Sequence, residues 1–273
     1  GAEGQMRLGI EEMRVLVRGA GDLATGVIAK LHEVGFKVVA VEIAEPSVIR
    51  RTVSFAQAVF DGETSVEGIR AVLTEWPDVE AVWAEGAVPV VVDPRLEGLG
   101  RMRFDVVVDA IIAKRNLGTT MAMAPIVIGL GPGFEAGKDV HAVIETMRGH
   151  YLGRVIYEGL PEPDTAVPGL IGGFAGERVI RAPKEGIYKP LVKIGDRVKE
   201  GQAVAEVDGE PAIATISGVL RGQLSEGLHV TKGFKVADVD PRAEEDHCLT
   251  ISDKARSIGG GVLEAILHLG RAI

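Results

Sequence analysis

A glycine turn, Gly19-Ala20-Gly21-Asp22-Leu23-Ala24, constrains the fold of this chain more than any other feature. An apolar run at 13–17 precedes the turn, and apolar residues recur at helical spacing over 25–34 after it. A second apolar run follows at 38–41 and ends at Glu42. Strand, turn, helix and strand of this length form a βαβ unit. The turn is therefore predicted to open a helix at the end of a buried strand.

Further apolar runs predict that this unit continues into a larger α/β domain. The runs at 88–92, 106–112 and 125–130 are rich in Val and Ile, as in strands that a sheet buries on both faces. Residues 66–73 are predicted to form a helix between them. Alternating strands and helices imply a doubly wound, mostly parallel sheet, so we predict a Rossmann-like α/β domain over 13–160.

An internal repeat of 32 residues characterises the segment 177–241. Shifting the sequence by this period brings Gly186 onto Gly218 and several later Gly, Val, Ala and Asp residues onto one another. Two intertwined halves are predicted to form a pseudo-twofold all-β module, because neither half can bury a core alone. The module resembles the biotinyl/lipoyl type of barrel-sandwich hybrid. The hairpin between the halves, 208–210, has no lysine, which argues against a swinging-arm carrier.

The tail, 242–273, is predicted to contain a short helix that packs back on the Rossmann-like domain. A triple glycine, 259–261, precedes a run of apolar residues at helical spacing. We therefore expect Gly259 and Gly260 to lie at the start of this helix, where backbone N–H groups are free to bind an anion.

The composition excludes several classes of function. A formal net charge of −9 without a strongly basic segment argues against a nucleic-acid partner. The sequence has no apolar run long enough to span a bilayer, and residues 1–13 lack the apolar stretch of a signal peptide. The single cysteine, Cys248, fits a reducing compartment. We expect a cytoplasmic protein without a membrane partner.

The glycine turn matches a dinucleotide-binding fingerprint, G-x-G-x-x-G/A. Gly19 permits the tight turn, Gly21 lets a pyrophosphate approach the backbone, and Ala24 allows close helix packing. Glu42 lies where the fingerprint places an acid for ribose hydroxyls. Asp22 has two interpretations, since its carboxylate would cap the helix but also repel a phosphate. Ala20 and Leu23 complete the predicted binding turn.

Basic side chains after other strands predict a composite anion site. Arg forks suit phosphate or carboxylate groups, and ligands of open α/β sheets bind beyond the carboxyl ends of the strands. A second glycine loop could form an anion nest, and the tail helix would close the site. A solvated surface is the alternative for each basic pair. The residues predicted to bind the ligand beyond the first turn and Glu42 are Arg50, Arg51, Lys114, Arg115, Asn116, Gly131, Gly133, Lys254, Gly259 and Gly260.

No metal site or catalytic residue is predicted. His141 and Glu145 have helical spacing, but a single pair without further ligands does not make a metal site. No Ser/His/Asp or Cys/His triad can be argued from the sequence.

Five motifs together resemble the YqeB-type accessory proteins of selenium-dependent molybdenum hydroxylase systems, over most of the chain from about residue 15 to residue 267. These motifs are 18–26, 49–55, 109–116, 129–134 and 252–256. The resemblance implies a cytosolic maturation protein that handles a molybdenum cofactor or its nucleotide form, or that helps to install selenium. Its partners would be a molybdenum hydroxylase or other maturation proteins, and its ligand a molybdopterin-type or nucleotide molecule.

Two other functions stay open from the sequence. The fingerprint and Glu42 fit an NAD(P)-dependent oxidoreductase, although no Tyr-x-x-x-Lys pair is present. Alternatively, the β module docks a partner, and the chain is a scaffold without a ligand.

Overall fold

Nine strands between residues 14 and 156 form one large sheet in the computed structural model, which describes residues 9–271. The strands are β1 (Arg14–Arg18), β2 (Lys37–Glu42), β3 (Glu63–Val66), β4 (Ile69–Leu73), β5 (Val88–Val92), β6 (Val106–Asp109), β7 (Ile126–Leu130), β8 (Ala142–Ile144) and β9 (Val155–Ile156). Their order is β3-β4-β5-β2-β1-β6-β7-β8-β9. The strands from β4 to β8 in this order are parallel, and β3 and β9 pair antiparallel at the two edges.

Helices cover this sheet on both faces. They are α1 (Asp22–Glu33), α2 (Ala58–Asp61), α3 (Val79–Ala84) and α4 (Asp253–Gly270). On one face, Val15 and Val17 of β1 belong to a core that includes α1 and α4. On the other face, Leu16 packs into a second core with α3 and the loop aromatics Phe104 and Phe134. The Val-rich central strands are thus buried on both sides, as their sequence predicts.

Eight further strands form two four-stranded antiparallel sheets around a third core, which we call the β-rich part. These strands are β10 (Val179–Arg181), β11 (Gly186–Pro190), β12 (Arg197–Val198), β13 (Ala203–Val207), β14 (Glu210–Ile213), β15 (Gly218–Gln223), β16 (His229–Val230) and β17 (Lys235–Asp240). The sheets have the orders β10-β17-β15-β12 and β14-β13-β11-β16. The strands β11, β12 and β13 begin 32 residues before β15, β16 and β17, so the predicted repeat is present in the structure.

The predicted fold class is wrong. A Rossmann-like, doubly wound parallel sheet followed by a biotinyl/lipoyl-like barrel-sandwich hybrid was expected, whereas the large sheet is mixed and the β-rich part forms two antiparallel sheets. The segment 66–73 is not a helix: Glu67 and Gly68 both have positive φ (46° and 80°), as a tight hairpin turn requires, and they join β3 to β4. Loops rather than α-helices connect β6, β7 and β8. Apolar runs located the central parallel strands, but not the antiparallel pairs at the two edges of the sheet.

The expected position of the triple glycine is also wrong. The helix α4 begins at Asp253, where Ser252 Oγ accepts a hydrogen bond from Ala255 N (3.1 Å), and 259–261 lie in its middle. Small residues are needed there because α4 packs closely against α1: a Cβ on Gly259 would lie 2.7 Å from Gly26 O. Of the predicted tail, the helix α4 is the part that packs back on the large sheet, on the face that α1 also covers.

Parts of three predictions fall outside the described residues or stay untested. Residues 1–8, most of the segment judged not to be a signal peptide, and 272–273 of the predicted tail lie outside the described range. The boundaries 13–160, 177–241 and 242–273 stay predictions. Between residues 9 and 271, none of the helices has both the length and the apolar character needed to cross a membrane.

Candidate functional site

A cleft of about 660 Å³ lies at the carboxyl ends of the central parallel strands. Strand order reverses here, since β2 and β6 lie on opposite sides of β1. Ligands of open α/β sheets bind at such a reversal. The lining residues are Arg18, Gly19, Gly21, Asp22, Leu23, Ala24, Val41, Glu42, Ile43, Pro46, Ser47, Val48, Asp93, Pro94, Ala110, Ile111, Ile112 and Leu117. The predicted glycine turn therefore forms one wall of a real cleft.

The two glycines of the turn have different tasks. Gly19 has φ +94°, and a Cβ there would lie 3.0 Å from Ala110 O, so the turn itself requires glycine. Gly21 has φ −70°, and its Cβ would meet only Val48 Cγ1 at 3.7 Å. Gly21 is therefore dispensable for the backbone conformation but leaves space beside the start of α1. No side chain caps that start, and the first-turn N–H groups of a helix have no intrahelical partner.

Glu42 is part of the turn itself. The Ala20 N–H donates to Glu42 Oε1 (2.7 Å) and the Ile43 N–H donates to Glu42 Oε2 (3.0 Å). Burial raises the pKa of the Glu42 carboxyl, although the two amide donors act in the opposite direction. Both carboxylate oxygens are thus engaged before any ligand arrives. The acid lies at the end of β2, as predicted, but its two hydrogen bonds to the backbone were not predicted.

A buried network that the sequence did not reveal holds the opposite wall. Arg18 and Asp109 end β1 and β6, and Thr119 Oγ1 links them, accepting from Arg18 Nη1 (2.9 Å) and donating to Asp109 Oδ2 (2.6 Å). The loop that follows β6 and contains Thr119 also has two non-glycine residues with positive φ, Ile112 (58°) and Lys114 (63°). Such conformations persist where surrounding contacts impose them. Polar residues at the ends of buried strands were the available clue.

The predicted conflict between Asp22 and an anion is reduced by Arg50. Arg50 Nη1 lies 3.7 Å from Asp22 Oδ2, and Arg50 Nη2 donates to the His247 carbonyl (2.6 Å). The guanidinium is held between α1 and the segment that leads into α4. Because the Asp22 charge is paired, the N-terminus of α1 stays compatible with an anion.

Other predicted residues are not brought to the cleft. Arg51 Nε donates to the Gln223 carbonyl of β15 (2.7 Å), and Lys114 Nζ lies 3.2 Å from Asp164 Oδ1. Asn116 Oδ1 accepts the amides of its own turn, Gly118 N (3.0 Å) and Thr119 N (2.7 Å). These side chains shape loops and contacts between parts of the molecule.

The second glycine loop serves packing in the same way. Gly133 has φ +107°, and a Cβ there would lie 2.6 Å from the Arg115 Cα, so the two loops pack backbone to backbone. Gly131 packs against the Thr146 side chain. Arg115 itself is exposed and does not line the cleft. Gly259 and Gly260 lie within α4, away from its start.

Lys254 does join the candidate site, through a smaller cavity on the other side of Asp22. This basic cavity, of about 200 Å³, is lined by Asp22, Leu23, Arg50, Arg148, Pro168, Gly169, Ile171, Arg178, Arg221, Ser252 and Lys254. Burial, and then the nearby Arg148, lower the pKa of the Lys254 ammonium. The sequence did not predict three of these cations, because they are far apart in the chain and belong to no motif: Arg148, Arg178 and Arg221.

The histidine and acid at helical spacing do not share a helix. His141 Nδ1 accepts the Val127 N–H (2.9 Å). Glu145, which directly follows β8, accepts the backbone N–H groups of Thr146 (3.0 Å) and Glu162 (2.9 Å). Among residues 9–271 no group of three or more His, Cys, Asp or Glu side chains is arranged to hold a metal ion.

Comparison with known proteins supports one part of the resemblance. No protein-family model matches the chain. Over 256 residues, which are 93% of the chain, it is 53% identical to the uncharacterized protein YqeB of Escherichia coli strain K12. The chain is a homologue of part of YqeB. It spans 47% of the length of that relative. The resemblance to YqeB-type proteins is confirmed at this level, whereas a role in selenium-dependent molybdenum hydroxylase systems stays a prediction.

Solved structures add no argument about fold or function. An aspartoacylase family protein from Mesorhizobium loti is 12% identical, with 83% of this chain and 84% of that chain covered and a TM-score of 0.28. A succinylglutamate desuccinylase/aspartoacylase from Rhodobacter sphaeroides is 17% identical, with 83% and 84% covered and a TM-score of 0.25. The TM-scores are too low to support a shared arrangement.

Proposed function

We propose that the chain binds a phosphate-bearing cofactor or nucleotide in the cleft, as the ligand-handling part of a maturation protein for a selenium-dependent molybdenum hydroxylase. A molybdopterin-type molecule is the ligand that we favour. The observation that carries the proposal is the free space beside Gly21 at the uncapped start of α1, in a cleft at the strand-order reversal. The maturation role rests on the resemblance to YqeB-type proteins.

The two ends of the cleft suit the two ends of such a ligand. Apolar side chains line much of the cleft and would fit a flat ring, as is usual for small-molecule sites. These side chains are Val41, Ile43, Pro46, Val48, Pro94, Ile111, Ile112 and Leu117. The phosphate would lie at the start of α1, in the space beside Gly21. The positive end of the helix dipole favours an anion there, and the pairing of Asp22 with Arg50 reduces the repulsion.

An NAD(P)-dependent oxidoreductase has less support from this geometry. The fingerprint needs the acid at the end of β2 for ribose hydroxyls, but Glu42 already accepts two backbone N–H groups. A dinucleotide in the usual pose would have to displace the Ala20 N–H from Glu42. We therefore place this function second.

Calorimetric titration with molybdopterin, its dinucleotide forms, mononucleotides and NADH tests the proposal. Gly21→Ala should fold normally, since its Cβ makes only an ordinary contact, yet obstruct the approach of a phosphate. We expect its affinity to fall about tenfold or more, the loss of one good charge-assisted contact. Gly260→Ala, where a Cβ meets nothing within 4 Å, is the matched control. Absence of heat with all these ligands, or equal affinities for both variants, would contradict the proposal.

The maturation role needs its own measurement. A hydroxylase produced together with this protein should contain less cofactor when the protein carries Gly21→Ala than when it carries Gly260→Ala. Equal cofactor content with both variants would contradict the maturation role, but it would not contradict ligand binding.

A further inference from the structure

The basic cavity lies where three parts of the molecule meet. Asp22 and Leu23 belong to the start of α1, Ser252 and Lys254 to the start of α4, and Arg178 and Arg221 to the β-rich part. The cavity is thus assembled only in the folded molecule.

Two helix N-termini converge on this cavity. The helices α1 and α4 have 12 and 18 residues, and each contributes its first turn to the wall. The positive end of a helix dipole favours an anion within about one turn, and the first N–H groups point in that direction. Two such ends facing one space of about 200 Å³ favour a compact anion rather than an extended molecule.

The charged side chains reinforce this preference. Five cations line the cavity: Arg50, Arg148, Arg178, Arg221 and Lys254. Among the residues that the structure describes, their ion-pair partners are three carboxylates: Asp22, Asp238 and Asp253. Asp253 is 74% exposed, and Asp238 is shared by two arginines. The excess of two positive charges, in a chain of net charge −9, matches a dianion.

Two of these arginines have unused donors. Arg50 is 7% exposed and Arg178 is 6% exposed, and the buried Nε of each has no hydrogen-bond partner within the described range, 9–271. Within residues 9–271 the Lys254 ammonium has neither a hydrogen bond nor an ion pair. Buried donors normally find an acceptor, so unused ones beside a cavity indicate a missing acceptor.

We propose that the basic cavity is a binding site for a compact tetrahedral oxyanion of the phosphate class. The existence of this site does not depend on the proposed function. The source of the anion does rest on it, where the anion is part of the ligand in the cleft. The anion is either a free ion or the terminal phosphate of the ligand in the cleft, because Asp22 and Leu23 line both spaces. Bound there, it would join α1, α4 and the β-rich part.

Titration of the full chain with inorganic phosphate and with sulfate, in a buffer without other oxyanions, tests the site. Both ions should bind and raise the midpoint of thermal unfolding, because a ligand of the native state stabilises it. Lys254→Met and Arg148→Met should each weaken phosphate binding about tenfold. Neither leaves a buried carboxylate unpaired, since Lys254 has no partner and that of Arg148 is exposed. Lys199→Met, at an exposed position of the β-rich part, is the control.

The outcomes separate this inference from the proposed function. If neither ion binds, or if the two variants bind like the control, the site does not exist, even where a ring-bearing ligand binds the cleft. If phosphate binds and competes with such a ligand, the site takes its terminal phosphate. If phosphate and that ligand bind independently, the site takes a free ion.

Discussion

Glu42 ends β2, and both of its oxygens accept backbone N–H groups, one from the glycine turn and one from Ile43. Its environment is nevertheless unfavourable for a charge, because burial raises its pKa above the ordinary value of 4.5. An acid with a raised pKa in the folded state stabilises the protein fully only below its unfolded pKa. Its contribution is lost as the pH rises through the folded pKa.

Glu42→Gln removes this titration while keeping one acceptor. We expect the free energy of unfolding of the wild type, relative to that of the variant, to fall as the pH rises from the ordinary pKa of 4.5 through the raised pKa of Glu42. Urea unfolding of both proteins at several pH values measures the difference, and groups common to both cancel. Parallel pH profiles would show that Glu42 does not titrate with a raised pKa in this range.

Asp22 and Arg50 show how much of a single residue's role the sequence can predict. Both were predicted to lie near the ligand, and both do line the basic cavity. Their ion pair, at 3.7 Å, could not be predicted, because it depends on the path of the segment between β2 and β3. The same holds for Arg178 and Arg221, which arrive from the β-rich part.

The helices α1 and α4, as elements, pack closely against each other through their small residues. A Cβ on Gly26 would lie 2.5 Å from Ala255 O, and one on Gly259 would lie 2.7 Å from Gly26 O. Backbone atoms on both sides leave no flexible group to move aside. This contact brings the start of α4 next to the start of α1, and so assembles the basic cavity.

Neighbouring glycines of α4 provide a matched pair of variants. Gly259→Ala should lower the free energy of unfolding by about 1–3 kcal/mol, the usual cost of overpacking. Gly260→Ala, where a Cβ meets nothing within 4 Å, should raise it by about 0.5–1 kcal/mol because alanine favours the helix. Denaturant unfolding of both variants provides the comparison. A stability gain for Gly259→Ala would refute the close packing of α1 against α4.

Elements differ in how well sequence patterns predicted them. The unit β1-α1-β2 was predicted because its period changes from strand to helix across a glycine turn. The hairpin β3-β4 was missed because its left-handed turn at Glu67 and Gly68 lies within a segment whose apolar residues also fit a helix. The triple glycine was misplaced at the start of α4 because glycine is unfavourable inside a helix, and only the close packing against α1 accounts for it there.

In the molecule as a whole, the backbone of β15 in the β-rich part contacts the segment that follows β2. Gln223 N donates to Ile49 O (2.9 Å), and Arg51 Nε donates to Gln223 O (2.7 Å). Gly222 of β15 permits this approach, since a Cβ there would lie 2.7 Å from Ile49 O. The neighbouring Arg50 and Arg221 both line the basic cavity. Docking and the cavity therefore depend on one another.

Gly222→Ala should disturb both together. We expect a loss of about 1–3 kcal/mol in the free energy of unfolding, since a backbone group obstructs the new methyl. We also expect weaker stabilisation of the variant by phosphate than of the wild type. Gly176→Ala, in the β-rich part with open space around its Cβ, is the control, and thermal unfolding with and without phosphate is the measurement. Unchanged stability of Gly222→Ala would argue against this docking contact.

The amino-acid pattern was sufficient to predict the local features: the strands of the sheet centre, the glycine turn that opens α1, the acid at the end of β2 and the 32-residue repeat. These follow from residue periodicity and from the backbone conformations that glycine permits, which act over a few residues. The antiparallel edges of the large sheet, the pairing of the β-rich strands and the hydrogen bonds that Glu42 accepts from the backbone became evident from the folded structure. It also brought five cations from distant segments to one cavity. Hydrogen bonds and charges between distant segments leave no period in a sequence.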